Sequence, residues 1–234
     1  MSQILLHHHL GLGDHIICNG LVRTFLENYE RVFLFAKEHN AKSVSRMYID
    51  NPRLVVLPMP DFGSDGWYGE SSYTQEYSTQ SGLPLLQITV KDLKENENFD
   101  KSFYESVGIS HNHRWEKFHL NRDLESEKSV FEKMVGDANT PYIFVHDDIK
   151  RGFELIPFNQ YGHRVIKNDT SVDFFSIISV LEKAEEIHCM ESSVSCLIEQ
   201  LETIDEKKLF YYPKIRNSIF CYQATRRKSW KIVD

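Results

Sequence analysis

At 234 residues, with 41% hydrophobic and 26% charged side chains, the chain has material for two small domains and too much apolar character to be disordered. Its 27 Lys and Arg against 34 Asp and Glu give a net charge of −7, which argues against a protein that lives by binding the nucleic acid backbone. No run reaches the ~20 apolar residues of a membrane helix, Ile4-Leu5-Leu6 is too short for a secretory leader, and Cys18, Cys189, Cys196 and Cys221 lack CxxC spacing; a soluble cytoplasmic protein with reduced thiols is expected.

Residues 3–9 read as a first strand, followed by a glycine turn at Leu10-Gly11-Leu12-Gly13-Asp14. Ile16, Ile17, Gly20, Leu21, Thr24 and Phe25 then recur at helical spacing. The apolar run of residues 31–36 suits a buried parallel strand, residues 40–50 a helix, and residues 53–57 a strand closed by Pro58 and Pro60. Residues 61–82, rich in Gly, Ser, Thr, Tyr and Gln, read as a long loop with room for a short helix. Helices are predicted over 99–107 and 123–136, and residues 137–141 form a plausible boundary. A strand over 142–146, a charged turn at 147–152 and a short strand over 163–166 follow. A helix over 172–185 with Ser171 as its N-cap, a strand over 186–190, a helix opening at 191–193 and a strand over 208–212 complete the second half. The alternation predicts an α/β fold with two small Rossmann-like domains, residues 1–137 and 138–234, facing a cleft.

Three turns that follow predicted strands carry candidate chemistry, the first two of them opening helices. In Gly11-Leu12-Gly13-Asp14-His15 the glycines let backbone approach a ligand and the helix start favours an anion. Ile16 replaces the third glycine of a dinucleotide fingerprint and no Walker lysine follows, so a tight turn with Asp14 as helix cap is an equal reading. In Glu191-Ser192-Ser193-Val194-Ser195 hydroxyls and free N–H groups suit phosphate oxygens, or Ser192 or Ser193 simply caps the helix. In His146-Asp147-Asp148-Ile149-Lys150-Arg151-Gly152 two cations would neutralise a diphosphate, or the loop is merely charged and exposed. All three follow the carboxyl ends of predicted parallel strands, where open α/β sheets bind ligands. His7, His8, His9 and His15 lack a carboxylate at ligand spacing, so no metal site is expected. Trp67, Tyr68, Tyr73 and Tyr77 line an acceptor groove or pack the loop; Arg114-Trp115 and Phe118 would knit the domains together; Arg226-Arg227-Lys228 reads as a solvated tail.

These motifs resemble GT-B glycosyltransferases, most visibly the lipopolysaccharide heptosyltransferases. His9-Leu10-Gly11-Leu12-Gly13-Asp14-His15-Ile16 is similar to their opening Gly-Asp turn. Met190-Glu191-Ser192-Ser193-Val194-Ser195-Cys196-Leu197 is similar to their donor turn, with Glu191 for Asp, Ser193 for Gly and Cys196 for His. The resemblance implies an acceptor-side first domain and a second domain that binds the nucleotide-sugar. It gives Asp14 the role of catalytic base, with His9 and His15 as rivals, and assigns the donor to Gly11, Gly13, Lys150, Arg151, Glu191, Ser192 and Ser193. It also implies an inverting, metal-independent transfer from a nucleotide-diphosphate sugar to a carbohydrate acceptor, with no cofactor. Competing readings are a non-catalytic nucleotide- or sugar-binding protein and a Rossmann oxidoreductase or methyltransferase, the latter kept open by Glu38 after the second strand. The start of the first strand at Gln3 is compatible with one domain of a larger polypeptide.

Overall fold

The computed structural model describes residues 2–63, 66–90, 98–137, 139–149, 152–155, 162, 164–204, 208–213 and 224–233. The chain divides into two units, Met1–Asn121 with Tyr222–Thr225, and Arg122–Cys221 with Arg226–Asp234.

In the first unit β1 (Gln3–His7), β2 (Arg31–Lys37), β3 (Leu54–Met59) and β4 (Leu85–Gln87) form a parallel sheet in the order β3-β2-β1-β4. Leu5 and Leu6 in β1 and Leu34 to Ala36 in β2 are buried, as expected for strands covered on both faces. β3 continues through Pro58, paired with Ala36, instead of ending there. As an edge strand it can spare the missing N–H. Leu5, Leu10, Phe35 and Met59 form a core cluster joined by Tyr73 and Tyr77.

The helices of this unit are α1 (Leu12–Ile17), α2 (Asn19–Asn28), α3 (Glu38–Met47), α4 (Gly66–Ser81), α5 (Phe99–Glu105) and α6 (His113–Glu116). α4 occupies most of the stretch read as loop. It has no apolar stripe, since its buried residues are Glu70 and Thr74, so helical periodicity in hydrophobicity could not reveal it. Its hydroxyls bond back along the helix, as from Thr79 to the Gln75 carbonyl at 2.9 Å, and Gly82 at φ 69° closes it by donating to the Ser78 carbonyl at 2.9 Å. α2 and α6 touch backbone to backbone at Gly20, where an added Cβ would overlap the His113 carbonyl oxygen and sit 2.8 Å from its carbon.

Arg114 is buried within the first unit, where it ion-pairs Asp100 and donates to the Thr225 carbonyl at 2.9 Å. Asp100 also accepts from His111 Nε2 and from the Thr225 N–H, each at 2.8 Å. The role expected of Arg114 in joining the domains is therefore corrected: among the described residues its partners belong to its own unit.

In the second unit β5 (Ile143–His146), β6 (Val165–Lys167), β7 (Glu186–Met190), β8 (Lys208–Tyr212) and β9 (Trp230–Ile232) form a parallel sheet in the order β6-β5-β7-β8-β9. Its helices are α7 (Leu124–Met134), α8 (Ile178–Lys183) and α9 (Ser193–Ile198). The unit begins at Arg122, ahead of the expected boundary at 137, because α7 belongs to it. Arg122 donates to Glu127 of α7 at 2.8 Å and to Glu182 of α8 at 2.7 Å, and Ser179 of α8 donates to Glu127 at 2.7 Å. The predicted helix over 172–185 is a 3-10 turn, Phe174–Ile177, running into α8, and its cap is Asp173 rather than Ser171: the Asp173 carboxylate accepts from Phe175 N–H at 3.2 Å. Among the described residues no helix is long and apolar enough to cross a membrane.

Candidate functional site

Each sheet has one place where the strand order reverses. In the first unit the chain leaves β1 towards β2 and β3 on one side and returns to β4 on the other. In the second it leaves β5 towards β6 and returns to β7. The crevice outside the carboxyl ends at such a point is where doubly wound sheets take ligands. Residues 8–14 leave β1 at the first, and residues 147–149 and 191–193 leave β5 and β7 at the second.

The β1 turn is tightly held. His8 Nδ1 bonds the His9 carbonyl at 2.6 Å, Asn40 of α3 donates to the Leu10 carbonyl at 3.1 Å, and the Leu10 side chain is buried. Gly11 is the N-cap of α1 with φ −66°, so glycine is not required by backbone angle. Its lack of a side chain makes room for a neighbour: a Cβ there would lie 2.7 Å from Asp14 Oδ2, which would have to turn away. Asp14, in the third position of α1, thus folds its half-buried carboxylate back over Gly11, while Gly13 lies half-buried beside it.

His9 is half-buried between the rings of Trp67 and Phe103, each 5.2 Å away between centroids. His15 has no accessible surface; its ring meets His8 edge-on at 4.5 Å, and among the described residues neither of its nitrogens has a hydrogen-bond partner. Burial removes it from the groups able to meet a substrate, so it acts here as packing beneath the turn.

Burial drives His15 well below the ordinary imidazole range, and takes His8 down to about 4 and, with the neighbouring imidazoles, His7 to about 3. The unfolded chain protonates these rings near 6.5, before the folded chain does, so stability is complete above pH 6.5 and is lost as pH falls towards about 4 and then 3. Urea titrations from pH 8 down to pH 4 should show a loss on the order of 3 kcal/mol from His8 alone, and His8→Gln should flatten that dependence. An unchanged stability across that range would contradict the buried, neutral assignment.

α4 lies across the carboxyl edge of the same sheet on polar contacts. Lys37, the last residue of β2, bonds Asp61 at 3.0 Å and Glu70 of α4 at 3.2 Å. Glu70 lies 3.9 Å from His7, whose Nδ1 is 3.3 Å from Thr74 Oγ1. Gln87, the last residue of β4, donates to Ser71 Oγ at 3.0 Å and Thr74 Oγ1 at 3.3 Å. Trp67 stacks flat on His7, 4.4 Å between centroids and 7° between planes. Tyr73 and Tyr77 instead meet Phe35 edge-on in the core, and Tyr68 is 85% exposed, so the expected aromatic groove reduces to Trp67. Sequence reasoning missed Lys37, Glu70 and Gln87. Lys37 ends a strand, which was a usable signal; Glu70 was hidden by the loop reading.

In the second unit Ser192 is the N-cap of α9. Its hydroxyl oxygen accepts from Ser195 N–H at 3.4 Å, while Ser195 Oγ accepts from Ser192 N–H at 3.2 Å and donates to the Ser192 carbonyl at 2.8 Å. Ser193 opens the helix, half-buried, and Glu191 interacts with the hydroxyl of Tyr211. Arg226 stacks on that tyrosine at 4.1 Å, which corrects the solvated-tail reading for this residue. Asp147, only 5% exposed, accepts from Lys167 at 2.8 Å, and its N–H donates to Asn168 at 3.1 Å. Lys167, the last residue of β6, is a strand-end cation that a strand ending at 166 left out. Asp148 and Phe153 exchange backbone bonds of 2.9 Å across the charged turn; Lys150 and Arg151 lie outside the described residues.

No family model and no curated protein matches the sequence. Solved structures do match in fold. A glycosyl transferase family 9 protein from Veillonella parvula aligns with a TM-score of 0.61 and 8% identity over 99% of this chain and 86% of that one. The ADP-heptose lps heptosyltransferase II of E. coli aligns with a TM-score of 0.57 and 10% identity over 100% and 90%. The chain has the two-sheet α/β fold of GT-B glycosyltransferases, and at these identities the likeness is one of fold. A third neighbour, the iron-containing dodecameric glycosyltransferase TibC of enterotoxigenic E. coli, aligns with a TM-score of 0.47 and 10% identity over 90% of this chain and 57% of that one. The expectation that no metal is required is corrected to this extent: at these identities the likeness is one of fold, and metal independence does not carry over with it. Among the described residues no three or more His, Cys, Asp or Glu side chains gather as metal ligands.

Proposed function

We propose that this chain is an inverting glycosyltransferase that moves a sugar from a nucleoside-diphosphate donor to a carbohydrate hydroxyl. The observation that carries the reading is the placing of the Gly11–Asp14 and Glu191–Ser193 turns at the reversal points of two parallel sheets in a GT-B fold. In this mechanism Asp14 takes the proton of the acceptor hydroxyl, whose oxygen attacks the anomeric carbon. The bond from that carbon to the diphosphate breaks, and its electron pair leaves on the diphosphate. Ser192, Ser193, Lys150 and Arg151 stabilise the departing charge, and Glu191 takes a donor hydroxyl. A dinucleotide oxidoreductase is disfavoured because β2 ends in Lys37, ion-paired to two carboxylates, where that family wants an acid.

The test is calorimetry and thermal shift with UDP, GDP, ADP and CMP. One nucleotide should stabilise the protein, by about 2.7 kcal/mol at about 100 times its Kd, and Lys150→Ala or Ser193→Ala should weaken it. A response confined to NAD or S-adenosylmethionine would replace the transferase reading with the oxidoreductase or methyltransferase one.

A further inference from the structure

Besides Tyr73 and Tyr77 on Phe35, α4 is held to the sheet by polar bonds that reach the carboxyl ends of β1, β2 and β4 through His7, Lys37 and Gln87. Burying Glu70 and His7 is costly, and packing alone does not require it. The arrangement fixes one side chain at the reversal point, Trp67 in the first turn of α4. The buried His7 ring backs one face of its indole, His9 stands beside it at 43°, and part of the tryptophan surface stays accessible. His9 is also the residue that leads into the turn bearing Asp14.

We infer that Trp67 and His9 form the acceptor subsite, taking a neutral pyranoside that lays its C–H face on the indole and turns a hydroxyl towards His9; the assignment rests on the transferase reading. A pyranoside has an apolar face and a polar rim, and a rigid aromatic plane beside an imidazole answers both. Charge selects against a phosphorylated ligand here. The Lys37 ammonium is already shared by Asp61 and Glu70, and Asp14 adds a third carboxylate on the same sheet edge. A nucleotide would bring its phosphates to an acidic surround, with the one described cation of this network committed.

The probes are the methyl glycosides of glucose, galactose, mannose and N-acetylglucosamine, observed by saturation-transfer NMR on the full chain, with the nucleotide screen run in parallel. At least one glycoside should receive saturation through the protons of one ring face. Trp67→Leu should raise its Kd about ten-fold while Trp67→Phe, which keeps a ring and guards against misfolding, loses less. Nucleotide binding should be unchanged in both variants. Equal glycoside binding in Trp67→Leu overturns the subsite, as does no glycoside binding by a protein that binds nucleotide. Loss of nucleotide binding in Trp67→Leu also overturns it and makes the indole a base platform. Trp67-dependent glycoside binding with no nucleotide binding leaves the subsite standing and removes the transferase.

Discussion

Asp14→Asn should lower turnover about 10²–10⁴-fold and leave nucleotide affinity intact. Asparagine has the shape of aspartate, so the side chain can still fold back over Gly11 in the third position of α1. What it loses is the capacity to hold a proton taken from the acceptor. Because the two units are assigned different substrates, binding and turnover separate: Ser193→Ala acts on the first and Asp14→Asn on the second. Gly11→Ala is the companion variant. Its methyl group would stand 2.7 Å from Asp14 Oδ2and push the carboxylate away, so it should copy part of the Asp14→Asn defect. The measurement is initial rate of nucleoside diphosphate release with the donor found by the nucleotide screen. Full activity in Asp14→Asn would pass the base role to His9.

Gly20→Ala should cost about 3 kcal/mol, roughly 10 °C in Tm. The new methyl group would run into the His113 carbonyl, and a backbone carbonyl cannot rotate aside as a side chain can. α2 and α6 must part, which strains the Thr24–His113 bond of 3.1 Å and the Arg23–His119 carbonyl bond of 3.0 Å. Gly69→Ala is the control: its methyl group would come within 2.8 Å of Phe62 Cβ, Cγ and Cδ1, a milder overlap than the one at Gly20, so a smaller loss is expected. Thermal denaturation followed by circular dichroism decides between them, and equal Tm values would mean that α2 and α6 do not meet at Gly20.

The central strands could be read from sequence because their apolar runs have to be buried on both faces; β2 and β7 fall within a residue of the expected bounds. Of the three-residue edge strands, β6 was expected and β4 and β9 were missed. β9, Trp230-Lys231-Ile232, leaves no apolar run, whereas β4 lies in the apolar stretch Leu83-Pro84-Leu85-Leu86-Gln87-Ile88, which was a usable signal. The turns at Gly11 and Ser192 were legible as strand-to-helix punctuation, but their internal chemistry was not. Gly11 makes room for the Asp14 carboxylate, and the Ser192 hydroxyl accepts a bond from the N–H of its own helix. The α4 network was illegible because its bonds join residues up to 67 positions apart, and no local pattern marks a lysine that will find two acids.

The bond from the Thr225 N–H to Asp100 sets a timetable for synthesis. The carboxylate and its partner Arg114 are made early, yet the backbone groups that satisfy them arrive 125 residues later. A nascent chain released from the ribosome at the end of the first sheet would carry a buried ion pair with bonds still open, and so would a chain shortened before residue 225. Of the two units the first is therefore started earlier, yet its final locking waits until strands β5 to β8 of the second have been made.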